Sequence, residues 1–117
     1  MDKLIEGGLN TMAGVDKAAV AAAAWWAKLI KMQGCPVADA RKFQNALAAQ
    51  LRKALVKAGS NKVVVSTEKG PDETLTRVAT TQKLNSALFP DGYTMYITEK
   101  LVEVVSNDCK KAIFVSK

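Results

Sequence analysis

Apolar residues in the first half of the chain recur every three or four positions, the spacing that gathers them on one side of a helix. Residues 1–14 predict a short amphipathic helix, interrupted by a glycine pair and broken at Gly14, that is either peripheral or an oligomerisation contact. Asp16 is then expected to cap an alanine-rich helix that runs to Gln33. Gly34 ends it at a position that favours a left-handed residue.

A second long helix is predicted between Pro36, which suits a first turn because its missing N–H costs nothing there, and the closing Gly59-Ser60-Asn61. Its core face is expected to lie within roughly 120° of the helix circumference. That face comprises Phe43, Leu47, Leu51, Ala54, Leu55 and Ala58. Because only a Gly-Cys-Pro link joins the two long helices, they are expected to form an antiparallel hairpin.

The second half of the chain changes to strand chemistry and short turns. A strand over 62–67, a third helix over 72–84, and strands over 93–98, 101–105 and 111–115 are predicted. Since short loops join the late strands, these should pair antiparallel. The predicted fold is α+β: an antiparallel helical hairpin and a third helix packed on a small, mainly antiparallel four-stranded sheet, in a single domain over 1–117.

Composition narrows the class of protein. The chain has 117 residues, of which 49% are hydrophobic and 24% charged, as in an ordinary soluble globular domain. Its longest uncharged apolar run, 18–27, is about half of the ~20 residues that span a bilayer. No signal peptide is recognisable. We expect an intracellular, cytoplasmic protein with no membrane partner (in the host cytoplasm if the source is viral), and reduced thiols at Cys35 and Cys109.

Catalytic chemistry has no visible residues. Histidine is absent, which removes the commonest general base and metal ligand. We find no phosphate loop, nucleophile elbow, dinucleotide fingerprint or metal-ligand spacing. The adjacent acids Asp72 and Glu73 suit the first turn of a helix, where they complement its dipole. The sequence therefore predicts a protein that is not an enzyme and has no metal site and no cofactor.

The net charge of +6 lies entirely in one segment. Residues 1–39 hold four basic and four acidic side chains, residues 68–117 hold seven of each, and 40–67 hold six basic ones and no acid. Those six are Arg41, Lys42, Arg52, Lys53, Lys57 and Lys62. A one-signed surface attracts a polyanion, since no neighbouring acid cancels its field. The alternative is a solvated outer face that only keeps the domain soluble.

Three aromatic residues are further candidates for binding. Trp25 and Trp26 point ~100° apart on a helix, so one should face the core and the other its edge. Packing in the core, or an oligomer or partner contact, is the favoured interpretation, and a base-stacking platform is the alternative. Tyr96 should point away from Met95 and Ile97, onto a sheet face left open to a base or a partner. The alternative is an ordinary exposed tyrosine.

The segment Phe89-Pro90-Asp91-Gly92-Tyr93-Thr94-Met95-Tyr96-Ile97 resembles the Leu-Pro-led strand segment of the BTG/Tob antiproliferative domain. Tyr96 stands at that family's tryptophan position and Val102 at its valine position, and the helical hairpin is similar to the family's opening helices. The resemblance implies the fold. The family's diagnostic box has no counterpart between Lys57 and Glu68, so its deadenylase-binding activity is not carried over. The whole profile also resembles small bacteriophage single-strand-binding transcription cofactors, without a shared motif.

These observations predict a sequence-independent single-stranded DNA-binding protein in a transcription or replication accessory role, with RNA left open. The predicted contacts are Arg41, Lys42, Arg52, Lys53, Lys57 and Lys62, with Lys69 and Tyr96 at the edge. A polymerase or other protein partner and a homo-oligomer are further expectations. The alternative is a BTG/Tob-like adaptor or regulator that binds another protein through the sheet face or the Trp25-Trp26 edge.

Overall fold

Two long helices fill the first half of the chain, and the second half holds a four-stranded sheet with a third helix and a 3-10 helix. The computed structural model describes residues 2–59, 61–106 and 109–115, with side chains from Gly14 onward except that of Ser86. The described elements are α1 (Asp2–Met32), α2 (Val37–Ala58), β1 (Val63–Ser66), α3 (Glu73–Thr81), a 3-10 helix (Ser86–Leu88), β2 (Thr94–Ile97), β3 (Leu101–Ser106) and β4 (Cys109–Val115). The predicted α+β class and element order are confirmed, and only the 3-10 helix was not foreseen.

Helix α1 is one continuous helix, so the predicted break at Gly14 is wrong. Each glycine costs roughly 1 kcal/mol relative to alanine in a helix. The alanine-rich remainder of α1 and the burial of its inner side offset that cost. Asp16 accordingly lies inside the helix rather than at its cap. At Gly14 the helix passes the turn between β2 and β3, where an added Cβ would lie 3.5 Å from the carbonyl oxygen of Glu99.

The two long helices pack against each other as the predicted hairpin. Helix α1 ends at Met32, and Gly34 follows with a φ of 101°, a value that suits glycine. Pro36 is the N-cap of α2, with φ −56° and ψ 145°, and not a residue of its first turn as expected. Because proline has no backbone N–H, it leaves no unpaired donor at the start of the helix, whether it is the N-cap or a first-turn residue.

The core face predicted for α2 is buried except at Ala54 and Ala58. Ala40, Phe43, Leu47, Leu51 and Leu55 are buried, whereas Ala54 and Ala58 are half-buried. The ring of Phe43 lies 5.5 Å from that of Phe89, which in turn lies 6.3 Å from Trp26 of α1. This aromatic cluster joins both long helices to the segment that leads into β2.

The four strands pair in the order β1-β2-β3-β4, and every pairing is antiparallel. Val65, Met95, Ile97 and Val102 form the inner face, which is fully buried beneath the helices. The third pairing changes register between Val102 and Glu103, a bulge in the β3–β4 ladder. Tyr93, expected inside the second strand, lies just before it and is half-buried.

Helix α3 is shorter than predicted and is tied to the edge strand β1 by one carboxylate. Asp72 caps α3: its Oδ1 accepts from the Leu75 N–H at 3.1 Å, and its Oδ2 accepts from the Ser66 N–H at 2.8 Å. The Asp72 N–H donates to the Ser66 carbonyl at 3.0 Å. The helix ends at Thr81 rather than residue 84, because Lys83 adopts a φ of 58° that a helix does not accommodate.

Replacing Asp72 by alanine should therefore lower the free energy of unfolding by about 1–3 kcal/mol. The N–H of Leu75 in the first turn of α3 and the N–H of Ser66 in β1 would both lose their acceptor. Asp72→Asn, which keeps one oxygen, should fall between this variant and the wild type. Urea unfolding measures both. Asp91→Ala, at an exposed turn acid, is the control. Equal stability of Asp72→Ala and Asp91→Ala would contradict the tie.

Candidate nucleic-acid interface

The core face of α2 fixes which of its side chains point outward. Five basic residues of α2 are exposed, and we call them the basic face: Arg41, Lys42, Arg52, Lys53 and Lys57. Residues 41 and 57 are separated along the helix axis by roughly 24 Å at 1.5 Å per residue. Asn45, Ala49 and Val56, also exposed, lie between them. The sequence prediction of one exposed basic stripe therefore describes α2 well.

Arg52 nevertheless has an acidic partner, contrary to the expectation of a surface free of acids. Its Nε lies 2.9 Å from Oδ1 of Asp16 on the neighbouring helix α1, and both side chains are about half exposed. An ion pair at such a solvated position contributes about 0–1 kcal/mol. Counting charges along the sequence missed this pair because the acid is supplied by another element.

The lysines of the basic face carry uncompensated charge. Among the described side chains, no carboxylate lies within 4.0 Å of Lys42, Lys53 or Lys57. Lys53 and Lys57 are four residues apart, so their like charges face each other along the helix at a small cost in stability. A bound anion would relieve that repulsion.

A shallow depression of about 390 Å³ opens at the C-terminal half of the basic face. Arg52, Lys53 and Lys57 surround it, and Ala49 and Val56 supply its apolar surface. Val56 is 55% exposed and lies between the cations of this face. Sequence reasoning did not identify this feature. The indication that the sequence offered was Val56, an apolar residue seven positions after Ala49 on the polar side of the helix.

Lys62 and Tyr96 lie on a different surface. The Lys62 Nζ sits 5.4 Å from the centroid of the Tyr96 ring, a cation–π contact. Tyr96 pairs in register with Val64 and Glu103, and these residues alternate with the buried Met95 and Ile97. They therefore line the outer side of the sheet, opposite the side that the helices cover. The six cations of the basic segment do not form one surface.

Lys69 also lies apart from the basic face. It is exposed in the loop between β1 and α3, beside the isolated bridge between Glu68 and Gly70. On the outer sheet surface the charge is mixed, since Lys110 Nζ lies 3.4 Å from Glu103 Oε2. The structure thus brings together five of the eight predicted nucleic-acid contacts and separates Lys62, Lys69 and Tyr96 from them.

The tryptophan pair divides between core and edge. Trp26 is fully buried: it is the tryptophan of the pair that faces the core, and its side chain is enclosed by its own domain. Its Nε1 has no hydrogen-bond partner among the described residues. Trp25 is half-buried, with its ring 4.8 Å from Trp26 and 5.3 Å from Tyr93, both edge-on. Only Trp25 keeps surface that another molecule can reach.

Other site chemistry is sparse in the part of the chain that the structure describes. No group of three or more Cys, Asp or Glu side chains there is arranged to hold a metal ion. Cys35 is buried and Cys109 exposed, and both thiols are free. Burial raises the pKa of the Cys35 thiol above its ordinary value, and the nearby charge of Asp39 raises it further. None of the described helices combines the length and apolarity that a bilayer crossing requires.

Comparison with known proteins adds no family assignment. No protein-family model matches the sequence, and no curated protein matches it as a relative. The function of the basic face must therefore be argued from its own residues: an exposed row of five cations, four of them without a described acidic partner, with an apolar depression among them.

Proposed function

We propose that this protein is a non-enzymatic, sequence-independent single-stranded nucleic-acid-binding protein that holds the phosphate backbone on its basic face. The observation that carries the proposal is the row of exposed cations along α2, in which Lys42, Lys53 and Lys57 have no described carboxylate within 4.0 Å. Cations spaced along one helix face can neutralise successive phosphates and release their counterions.

One feature of the basic face favours backbone binding over base-sequence recognition, and another favours a single strand over a duplex. Most of the polar contact atoms on the basic face belong to lysine and arginine, which position a nucleic acid through its phosphates. In addition, exposed Ala49 and Val56 offer apolar surface that the phosphate-lined exterior of a duplex cannot use. A single strand presents phosphates and unstacked bases together, so it matches both kinds of surface. An accessory role in transcription or replication is consistent with such binding.

The proposal is tested by measuring the anisotropy of labelled single-stranded and duplex oligonucleotides at salt concentrations between low and moderate. We expect tighter binding of the single strand. The logarithm of the association constant should fall linearly with the logarithm of the salt concentration. The expected slope is about −3, which corresponds to four phosphate contacts on a single strand. Absence of binding to either oligonucleotide at low salt would overturn the proposal. The outer sheet surface around Tyr96 would then be the place to seek a protein partner.

Asp16 provides a test of the Arg52 contact. Replacing Asp16 by asparagine should free Arg52 from its ion pair and remove a negative charge beside the basic face. Affinity for single strands should rise severalfold at low salt, and the salt slope should steepen by about 0.7, as for one more phosphate contact. Anisotropy titrations across a salt series measure both quantities.

The matched control is Glu73→Gln. It also removes one acid that pairs with an arginine, here Arg77 within α3. The net charge of the two variants is identical, so only the position of the lost carboxylate differs. An equal gain in affinity for Asp16→Asn and Glu73→Gln would mean that net charge, and not a freed Arg52, causes the change.

A further inference from the structure

The depression on the basic face has two kinds of wall. Its apolar part is formed by Ala49 and Val56, two turns apart on α2 and both exposed. Its charged part is formed by Arg52, Lys53 and Lys57. The depression is open to solvent, because all of its lining residues belong to one face of α2. Its occupant should therefore be partly apolar and should carry negative charge at its border.

Arg52 forms one wall of the depression. It also lines a neighbouring depression of about 350 Å³ between the two long helices, where its Nε pairs with Asp16. A planar guanidinium is a surface on which a nucleobase can stack. Lys53 and Lys57 carry charge that no described carboxylate compensates, and as neighbours one turn apart they can receive two successive phosphates beside such a base.

We infer that this depression takes one unpaired base of a single-stranded nucleic acid, with the flanking phosphates on Lys53 and Lys57. The inference rests on the proposed function and names the part of the ligand that fills the apolar surface. A paired and stacked base has no free face to offer, so a duplex would meet this surface only with its sugars and phosphates.

An acidic peptide is a poorer match to the same surface. An amphipathic helix docks through a run of apolar anchors at positions i, i+3 or i+4, and i+7, in a continuous apolar groove. Here the apolar part of the depression comprises Ala49 and Val56 alone, and it meets Arg52 where the Asp16 ion pair bridges the helices. One flat ring fits such a site better than a series of side chains.

The test compares an oligothymidine with an abasic strand of the same length and charge, in anisotropy titrations at fixed salt. The wild-type chain should bind the abasic strand about fivefold to 150-fold more weakly, since that strand keeps its phosphates but lacks the stacked base. In Ala49→Gln, a polar side chain fills the depression without changing the charge, and the two strands should bind alike. Ala87→Gln, at an exposed alanine of the 3-10 helix, should retain the wild-type difference.

Equal binding of both strands by the wild-type chain would overturn the base site and leave backbone binding intact. Absence of binding to both strands would remove the proposed function, and the base site with it. A polyglutamate peptide that displaces the oligothymidine at lower concentration than unlabelled oligothymidine does would overturn the inference in favour of an acidic protein partner.

Discussion

The triple variant Lys42→Gln, Lys53→Gln and Lys57→Gln is expected to bind single-stranded oligonucleotides about 100-fold more weakly than the wild type at low salt. Each lysine is exposed and has no described acidic partner. A solvated contact of this kind contributes about 1 kcal/mol, so three together amount to about two factors of ten. Arg52 is kept in this variant, because its removal would also leave the Asp16 carboxylate unpaired and so combine two effects on affinity.

The salt dependence gives a second measure of the same variant. If three of four phosphate contacts are lost, the slope should change from about −3 to about −1. The control carries glutamine at three exposed lysines elsewhere, Lys83, Lys100 and Lys111, and has the same net charge. Thermal unfolding should be nearly unchanged in both variants, since all six positions are exposed. Equal losses of affinity in the two triple variants would contradict a localised site.

Phe43→Ala is expected to have the largest effect on stability, a loss of about 3–5 kcal/mol in the free energy of unfolding. Phe43 is fully buried, and its ring lies 5.5 Å from that of Phe89, which also contacts Trp26. Its removal leaves a cavity where both long helices meet the segment before β2. Domains of this size are stable by about 5–15 kcal/mol, so the variant should remain only marginally folded.

Equilibrium unfolding in urea, followed by tryptophan fluorescence and circular dichroism, measures this loss. Phe43→Leu, which keeps an apolar side chain of intermediate size, should lose about 1–2 kcal/mol. Phe114→Ala, at a half-buried ring of β4, should lose less than Phe43→Ala because part of that ring already contacts water. A loss below 1 kcal/mol for Phe43→Ala would contradict its place at the centre of the core.

Periodicity correctly predicted which side of α2 is buried. On α2, the apolar positions from Phe43 to Leu55 recur at helical spacing, and they are the buried ones. It failed on α1, where glycine was taken to end a helix. The cost of a glycine is local, whereas the packing that offsets it comes from residues distant in sequence. The exposed side of α2 was predictable for the same reason as its core face.

The details of the candidate site depend on neighbours that the sequence does not reveal. Asp16 reaches Arg52 only because the helical hairpin brings 16 beside 52. Lys62 follows the basic helix in sequence, yet strand alternation turns it to Tyr96 on the far side of the sheet. The depression escaped notice because two apolar residues on a charged face are too few to form a pattern.

Lys62 and Tyr96 belong to a surface that is separate from the basic face. The basic face lies on α2, and the outer sheet surface lies on the side of the sheet that the helices do not cover. A strand lying along α2 would leave the surface around Tyr96 uncovered. The proposed nucleic-acid contacts on α2 and the surface around Tyr96 therefore share no residue.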